Sequence, residues 1–423
     1  MKNRRWTALA VCVLLLIQLY IPLGPFYATG SEGLTFVSNG DGSCTLADVG
    51  DCKDTVVVVP ETSPAGESVV AIGRGAFRGC RNLTDVELPS GIKRIEAQAF
   101  YGCTSLTGII LPPELTELGE AAFENCTSLQ DVLLPYGIKS VGKNCFKNCD
   151  SLAYLELPDS VTEMGQGVFY GCEALYGAVL PNGLLGIPAQ TFAGCKSLES
   201  ICLSASAEEI GDSAYSGCTS LQEIELPDKI KKIGGSAFAG CSALAKLTLP
   251  DTLQSLGAHA FVGCTSLAKL TLPGISEIPY GAFEGCTGLQ ELSLSEGTRT
   301  IASYAFGYCS SLQRISLPQS LTEISTGAFC ADDRIVVVNF SGDHEVFAVT
   351  EDNGVLFYRL KYLAGDVNLN DVVDAEDLAL LLSAIESVEV LDKLPFEPMD
   401  LNVDGRVDAE DIAMLLSIIE GSI

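Results

Sequence analysis

The chain has 423 residues and carries 54 acidic against 25 basic side chains, a formal charge of −29. That balance argues against a nucleic-acid partner, because phosphate recognition needs clustered Lys and Arg. The length leaves room for several domains, and the acidity suits hard cations.

The first thirty residues read as a secretory signal. Lys2, Arg4 and Arg5 precede an apolar run over residues 8–21, and Ala28-Thr29-Gly30 supplies small residues for cleavage. An uncleaved anchor is the alternative. No later run reaches the ~18 apolar residues of a membrane span. The single tryptophan, Trp6, lies in this segment. Residues 31–71 come next. There Cys44 and Cys52 flank the stretch TLADVGD, and a hairpin cap closed by a disulfide between them is expected.

From residue 72 the chain repeats. Phe77, Phe100, Phe123, Phe146, Phe169, Phe192, Tyr215, Phe238, Phe261, Phe283, Phe306 and Phe329 recur every 23 residues, with one step of 22. The unit reads A-F-x-G-C-x-S-L-x-x-I-x-L-P-x-x-L-x-x-I-G. The spacing Leu-x-x-Ile-x-Leu places its last two apolar residues on one face of a short strand, which the proline closes. Glycines near the corners permit tight bends. One unit cannot bury its own apolar side, so the copies must stack around a shared core. This pattern resembles the BspA-like leucine-rich repeats of bacterial surface antigens. The resemblance implies a solenoid of about twelve rungs used for adhesion or protein binding.

Eleven cysteines sit three residues after the aromatic, from Cys80 to Cys309. In-register rungs separate equivalent Cβ atoms by ~4.8 Å, whereas a disulfide needs about 3.5–4.5 Å. The column is therefore expected to hold buried thiols packed as small apolar groups. No Cys-x-x-Cys pair or nearby His completes a zinc set. Residues 344–360 carry an Asn353-Gly354 turn between apolar strands, the expected C-terminal cap.

Two acidic loops close the chain. Asp366, Asn368, Asn370, Val372, Asp374 and Asp377 fall at positions 1, 3, 5, 7, 9 and 12 of a calcium loop. Asp400, Asn402, Asp404, Arg406, Asp408 and Asp411 repeat the set, with Val372 and Arg406 giving backbone carbonyls. Each loop is followed by an apolar helical stretch. Position 6 is Gly405 in the second loop and Asp371 in the first. It requires a left-handed backbone, which Asp adopts at modest cost. The pair resembles the type I dockerin module, which implies two Ca²⁺ ions and a cohesin partner on a scaffoldin. By that resemblance Ala375, Glu376, Leu382 and Ser383, with Ala409, Glu410, Leu416 and Ser417, carry recognition. Their near-identity implies two binding orientations.

The expected fold class is thus a β-rich leucine-rich-repeat solenoid followed by a small all-α dockerin of two calcium-loop/helix (F-hand) units. The expected domains are a signal peptide (1–30), an N-terminal cap (31–71), the solenoid (72–343), a cap and linker (344–364) and the dockerin (365–423). No HExxH, P-loop or paired Cys/His arrangement appears, and the stretch GDSAYSG is the seventh copy of the repeat phrase. The expectation is a secreted, non-catalytic binding protein of a cellulosome-type complex. The alternative is a dockerin-bearing enzyme acting on polysaccharide. Outward strand positions over rungs two to six, Ile110, Leu133, Tyr154, Val179 and Cys202, are expected to form one apolar stripe for a protein ligand.

Overall fold

The computed structural model describes residues 31–340, apart from Cys52, Thr326 and residues 331–336, with the backbone alone described over Val337–Phe340. The chain begins as a hairpin. Strand β1 (Thr35–Ser38) runs antiparallel to β2 (Ser43–Asp48), and β2 pairs in parallel with Ser68–Ile72. The hairpin thereby covers the open end of the stack. On β2 the side chains alternate, and Cys44 and Leu46 both point inward and are fully buried. Cys44 is a free thiol whose Sγ lies 3.6 Å from the Glu67 carbonyl oxygen. The expected Cys44–Cys52 disulfide is therefore wrong, since the pleat directs Cys44 into the core; Cys52 lies outside the described residues. A disulfide instead involves Cys80, the one exception to the thiol column.

Each 23-residue unit then makes one rung: a first strand, a corner, a second strand and a wide turn. The solenoid has about twelve rungs, numbered here from Phe77. First strands stack in parallel, as Gly108–Ile110 on Asp131–Leu133 and Tyr154–Glu156 on Gly177–Val179. The C-terminal first strands form a four-stranded ladder ending at Val337–Phe340. The turns stack too, with the Phe77 N–H donating to the Ala99 carbonyl and the Phe100 N–H to that of Ala122, both at 2.7 Å.

The twelve aromatic rings form one continuous buried stack. Centroids lie 4.6 to 6.1 Å apart and neighbouring planes differ by 17° at most. Burying each ring contributes roughly 1.5–3 kcal/mol, before ring–ring contacts are added. The cysteines lie beside this stack and do more than fill space. The Cys103 thiol donates to the Phe77 carbonyl at 3.0 Å, and the same bond recurs down to Cys309 and Phe283 at 3.3 Å. Each thiol thus ties one rung to the carbonyl of the rung before it.

The corner after the second strand shows what the repeated glycine is for. A Cβ at Gly142 would lie 2.5 Å from the Gly119 carbonyl carbon, and one at Gly211 would lie 2.6 Å from the Ala189 nitrogen. Close approach of neighbouring rungs, rather than an unusual φ, favours glycine here. The corner N–H also matters. Gly119 donates to Ile95, Gly142 to Leu118 and Gly165 to Val141, at 2.8 to 2.9 Å. Glu96, Ala302 and Ser325 stand at the same corner in other rungs and keep the bond. Pro188 and Pro279 have no N–H to give. The second-strand sheet breaks at those two rungs and nowhere else from Arg94 to Ile324. Glu163–Met164 is not bonded to Gly186–Ile187, nor Ser255–Leu256 to Glu277–Ile278.

Candidate interaction surface

The first strands present an outward face with two residues per rung. The buried middle residue, such as Ile109, Val132, Leu155 or Ala178, holds each strand in phase. Its neighbours on either side therefore face solvent, as the alternation predicted. Ile110 is 86% exposed and Leu133 65%, and the two lie opposite each other in register. Tyr154, Val179 and Cys202 are exposed as well.

These five residues do not make a single file. Val179 is in register with Glu156 and bridges to Cys202, whereas Tyr154 is in register with Gly177. The expected stripe is corrected accordingly. Each strand has two outward positions, and Tyr154 belongs to the other one. Glu156 separates an Ile110–Leu133 island from an island of Tyr154, Val179 and Cys202. Tyr176 joins the second island, its ring stacked on Tyr154 at 6.0 Å. Burial and the nearby Glu156 carboxylate push the Tyr154 hydroxyl above its ordinary pKa. Sequence reasoning missed Tyr176, and also Tyr136, which is 89% exposed at the corner after Leu133. Their positions in the repeat, just before the strand and just after the proline, were the available signal.

The same face changes character at rung seven. Lys246 pairs with Glu223 at 3.5 Å, and Glu291 pairs with Lys269 at 2.7 Å and Arg314 at 3.6 Å. The hydrogen bond from Lys269 holds the Glu291 carboxyl below its usual range. Charges facing one another along a ladder satisfy themselves, so the exposed apolar side chains belong to the other half of the face.

A second feature follows from Pro188. Where the second-strand sheet splits, a groove of about 800 Å³ opens, lined by Met164, Leu185, Gly186 and Pro188 with Glu117, Glu163 and Glu209. Among the described residues no group of three or more His, Cys, Asp or Glu side chains is placed to hold a metal ion. The stretch GDSAYSG carries no exposed tyrosine, since Tyr215 is fully buried in the ring stack. No helix among the described residues is long and apolar enough to cross a membrane.

The expected calcium ligands (Asp366, Asn368, Asn370, Val372, Asp374, Asp377, Asp400, Asn402, Asp404, Arg406, Asp408 and Asp411) lie outside the described residues. So do the expected cohesin-contacting residues at 375–376, 382–383, 409–410 and 416–417, and the expected C-terminal cap.

Parallel rungs of this length, with a leucine-lined core and an outward strand face, define a leucine-rich-repeat solenoid. The chain belongs to the BspA-type leucine-rich-repeat family, which matches residues 62–176, 168–278 and 236–349. A type I dockerin domain matches residues 364–420. Type I dockerin domains bind calcium and dock to cohesins. Two solved structures are similar to the solenoid. A leucine-rich-repeat protein from Bacteroides ovatus is 28% identical, with a TM-score of 0.63, over 73% of this chain and 87% of its own. A leucine-rich cell surface protein from Faecalibacterium prausnitzii is 26% identical, with a TM-score of 0.51, over 75% of this chain and 96% of its own. A comparison with curated proteins finds no match.

Proposed function

We propose that the chain is a secreted, non-catalytic binding protein of a cohesin-based complex. Its solenoid holds a protein ligand, and its dockerin attaches that ligand to a scaffold. The observation that carries this reading is the exposed apolar surface of Ile110, Leu133, Tyr154, Tyr176 and Val179 on a face whose other half is closed by ion pairs. Exposed apolar patches rimmed by polar residues commonly mark protein partners. A non-catalytic role accords with the two matched domain types, which are typically binding modules.

The carboxylate and amide oxygens at positions 366, 368, 370, 374 and 377, and at 400, 402, 404, 408 and 411, suit two Ca²⁺ ions, as hard oxygen donors do. The proposed domain limits are those of the sequence reading, with the dockerin at 365–423 and the solenoid at 72–343. Ala375-Glu376 and Ala409-Glu410, with Leu382-Ser383 and Leu416-Ser417, are the proposed cohesin contacts.

Two pull-downs from a secretome test the two halves separately. Cohesin capture should require calcium and should survive Leu133→Asp with Tyr154→Asp. Capture of the solenoid ligand should be lost in that double variant and retained in chelator. Ligand capture unchanged by the two aspartates would overturn the surface assignment. Hydrolysis of plant polysaccharide by the pure protein would overturn the non-catalytic one.

A further inference from the structure

The wide turns carry a second set of exposed side chains, on a different column from the apolar strand face. Along this column the chain repeatedly places a basic group over an aromatic ring of the next rung. Arg78 lies over Tyr101 at 5.1 Å, and Lys147 lies over Tyr170 at 5.5 Å. All four residues directly follow the stacked phenylalanine of their rung. The Lys147 ammonium is also 3.2 Å from Glu124, which holds the same position one rung earlier. Carboxylate, ammonium and ring thus form a sandwich across rungs three to five.

Rungs nine to eleven keep a carboxylate in this column and draw their rings from neighbouring turn positions, Tyr280 three residues before its phenylalanine and Tyr304 and Tyr308 two before and two after theirs. Tyr280 packs edge-on against His259 at 5.1 Å and against Tyr304 at 5.7 Å, and Tyr304 stacks on Tyr308 at 6.4 Å. Glu284 directly follows its phenylalanine, as Glu124 does. The next rung answers with Gly307, where rung four has Lys147. The carboxylate of Glu284 lies 3.5 Å from Nδ1 of His259. No Lys or Arg occurs in residues 256–268, 278–290 or 301–313. Among the described residues no basic group lies over Tyr280 or Tyr308, which are 47% and 50% exposed.

This ledge is held at a conformational cost. Tyr304 and Tyr308 have φ of 57° and 61°, and His259 has φ of 56°. Bulky residues seldom occupy that left-handed region, and most rungs use Gly at the corner where Tyr308 stands. Gly281, between His259 and Tyr304 in the stack, leaves room for the imidazole, which a Cβ there would strike.

We propose that this aromatic ledge binds a lysine- or arginine-containing segment of a partner protein, whose basic side chains sit on the exposed rings of Tyr280 and Tyr308, with the Glu284 carboxylate on the same turns. The incoming cation meets the same two kinds of group, ring and carboxylate, that Lys147 meets within the chain at Tyr170 and Glu124. Ring faces attract cations through their quadrupole, and a neighbouring carboxylate adds to the attraction. The −29 charge of the chain steers a basic segment toward it. This site is independent of the apolar strand face, so either can fail without the other.

The probe is acetyl-Gly-Arg-Gly-Arg-Gly-amide, titrated into full-length protein carrying ¹³C-labelled tyrosine, at a salt concentration that screens long-range attraction. Ring resonances of Tyr280 and Tyr308 should shift and saturate. Those of Tyr101 and Tyr170, already covered by Arg78 and Lys147, should not. Tyr280→Leu with Tyr308→Leu should weaken binding roughly tenfold with net charge unchanged, as two cation–π contacts imply. The Tyr→Phe pair should bind within about twofold of the parent, because the ring faces remain. Glu284→Gln should weaken binding without abolishing the shifts. Circular dichroism confirms that each variant is folded, and the Phe pair keeps the test decisive if the Leu pair is not. The proposal is overturned by equal shifts at all four tyrosines, by unchanged affinity in a folded Leu variant, by lost affinity in a folded Phe variant, or by saturation with neutral cellohexaose in place of the peptide.

Discussion

Pro188 stands at the corner that Gly165 occupies one rung earlier, and the hydrogen bond that Gly165 donates to Val141, at 2.9 Å, has no equivalent at Pro188. At this break the other two columns remain joined. Tyr154 still pairs with Gly177, and the Phe169 N–H still donates to Thr191 at 2.9 Å. One absent N–H thus opens one column of three and leaves the groove beside Glu163 and Glu209.

The first prediction exchanges these corners. Gly211→Pro should split the sheet at a third place, because it removes the bond to Ile187 and drives a ring against Ala189. The loss should be about 3 kcal/mol or more, read as a drop in the denaturant midpoint. Pro188→Gly should let the sheet rejoin, with slowed amide exchange around residues 185–188. Unchanged exchange there would show that something other than the missing donor holds the rungs apart.

Thiol chemistry supplies the second prediction. Burial pushes Cys172 and Cys286 up to about 12 and raises Cys149, Cys195 and Cys264 well above the usual thiol value. Iodoacetamide at pH 8 should therefore label Cys202, which is exposed, and spare these five until the protein unfolds. The same shifts carry a pH dependence. The folded state retains protons that the unfolded chain releases above ~8.5. The stability these thiols contribute is complete below that pH. It then falls as the pH rises, until Cys172 and Cys286 ionise in the folded protein near pH 12. Chemical denaturation at pH 7 and pH 10 checks the sign.

Tyr215 gives the third. Its ring continues the phenylalanine stack, 5.3 Å from Phe192 and 5.2 Å from Phe238, but its buried hydroxyl has no hydrogen-bond partner among the described residues. Tyr215→Phe should stabilise the solenoid by roughly 1–3 kcal/mol, the penalty of a buried unsatisfied polar group. A destabilised variant would mean that the hydroxyl has a partner in solution.

Calcium removal is the fourth. A module of about 59 residues with clustered carboxylates buries little core without metal. Chelation should melt the module at 365–423 while the solenoid transition stays in place. Two calorimetric transitions, one of them calcium-dependent, are expected, and a single shared transition that moves with calcium would contradict it. Ile110→Asp should leave the solenoid transition within about 0.5 kcal/mol, since that side chain is 86% exposed.

Much of the solenoid was legible because its period is strict. Ile109, Val132 and Leu155 occupy one place in the repeat, so identifying one as inward identifies them all. The calcium-loop pattern was legible from oxygen-bearing residues at fixed spacing. The less legible features depend on which atoms of a neighbouring rung lie nearby. Tyr154 and Ile110 both point outward, yet they stand in different files, and Glu156 comes between Leu133 and Val179. Cys44 looked like a cap cysteine by position in the chain, but the pleat of its strand turns it inward. The tyrosines at 280, 304 and 308 are spread over two units and meet only after stacking.

The amino-acid sequence by itself determined the rung: its length, its inward residues, its aromatic stack and its thiol column. A repeat that cannot bury its apolar face alone has one way to do so, and every copy must obey it. The tertiary structure decided what differs from rung to rung. It turned the prolines at 188 and 279 into breaks in one column. It gave each thiol the carbonyl of the preceding rung. It also set Glu284 against His259, with no lysine in the rung that follows. Those outcomes rest on contacts between residues about 23 positions apart, where one missing donor or side chain changes what its neighbour can reach.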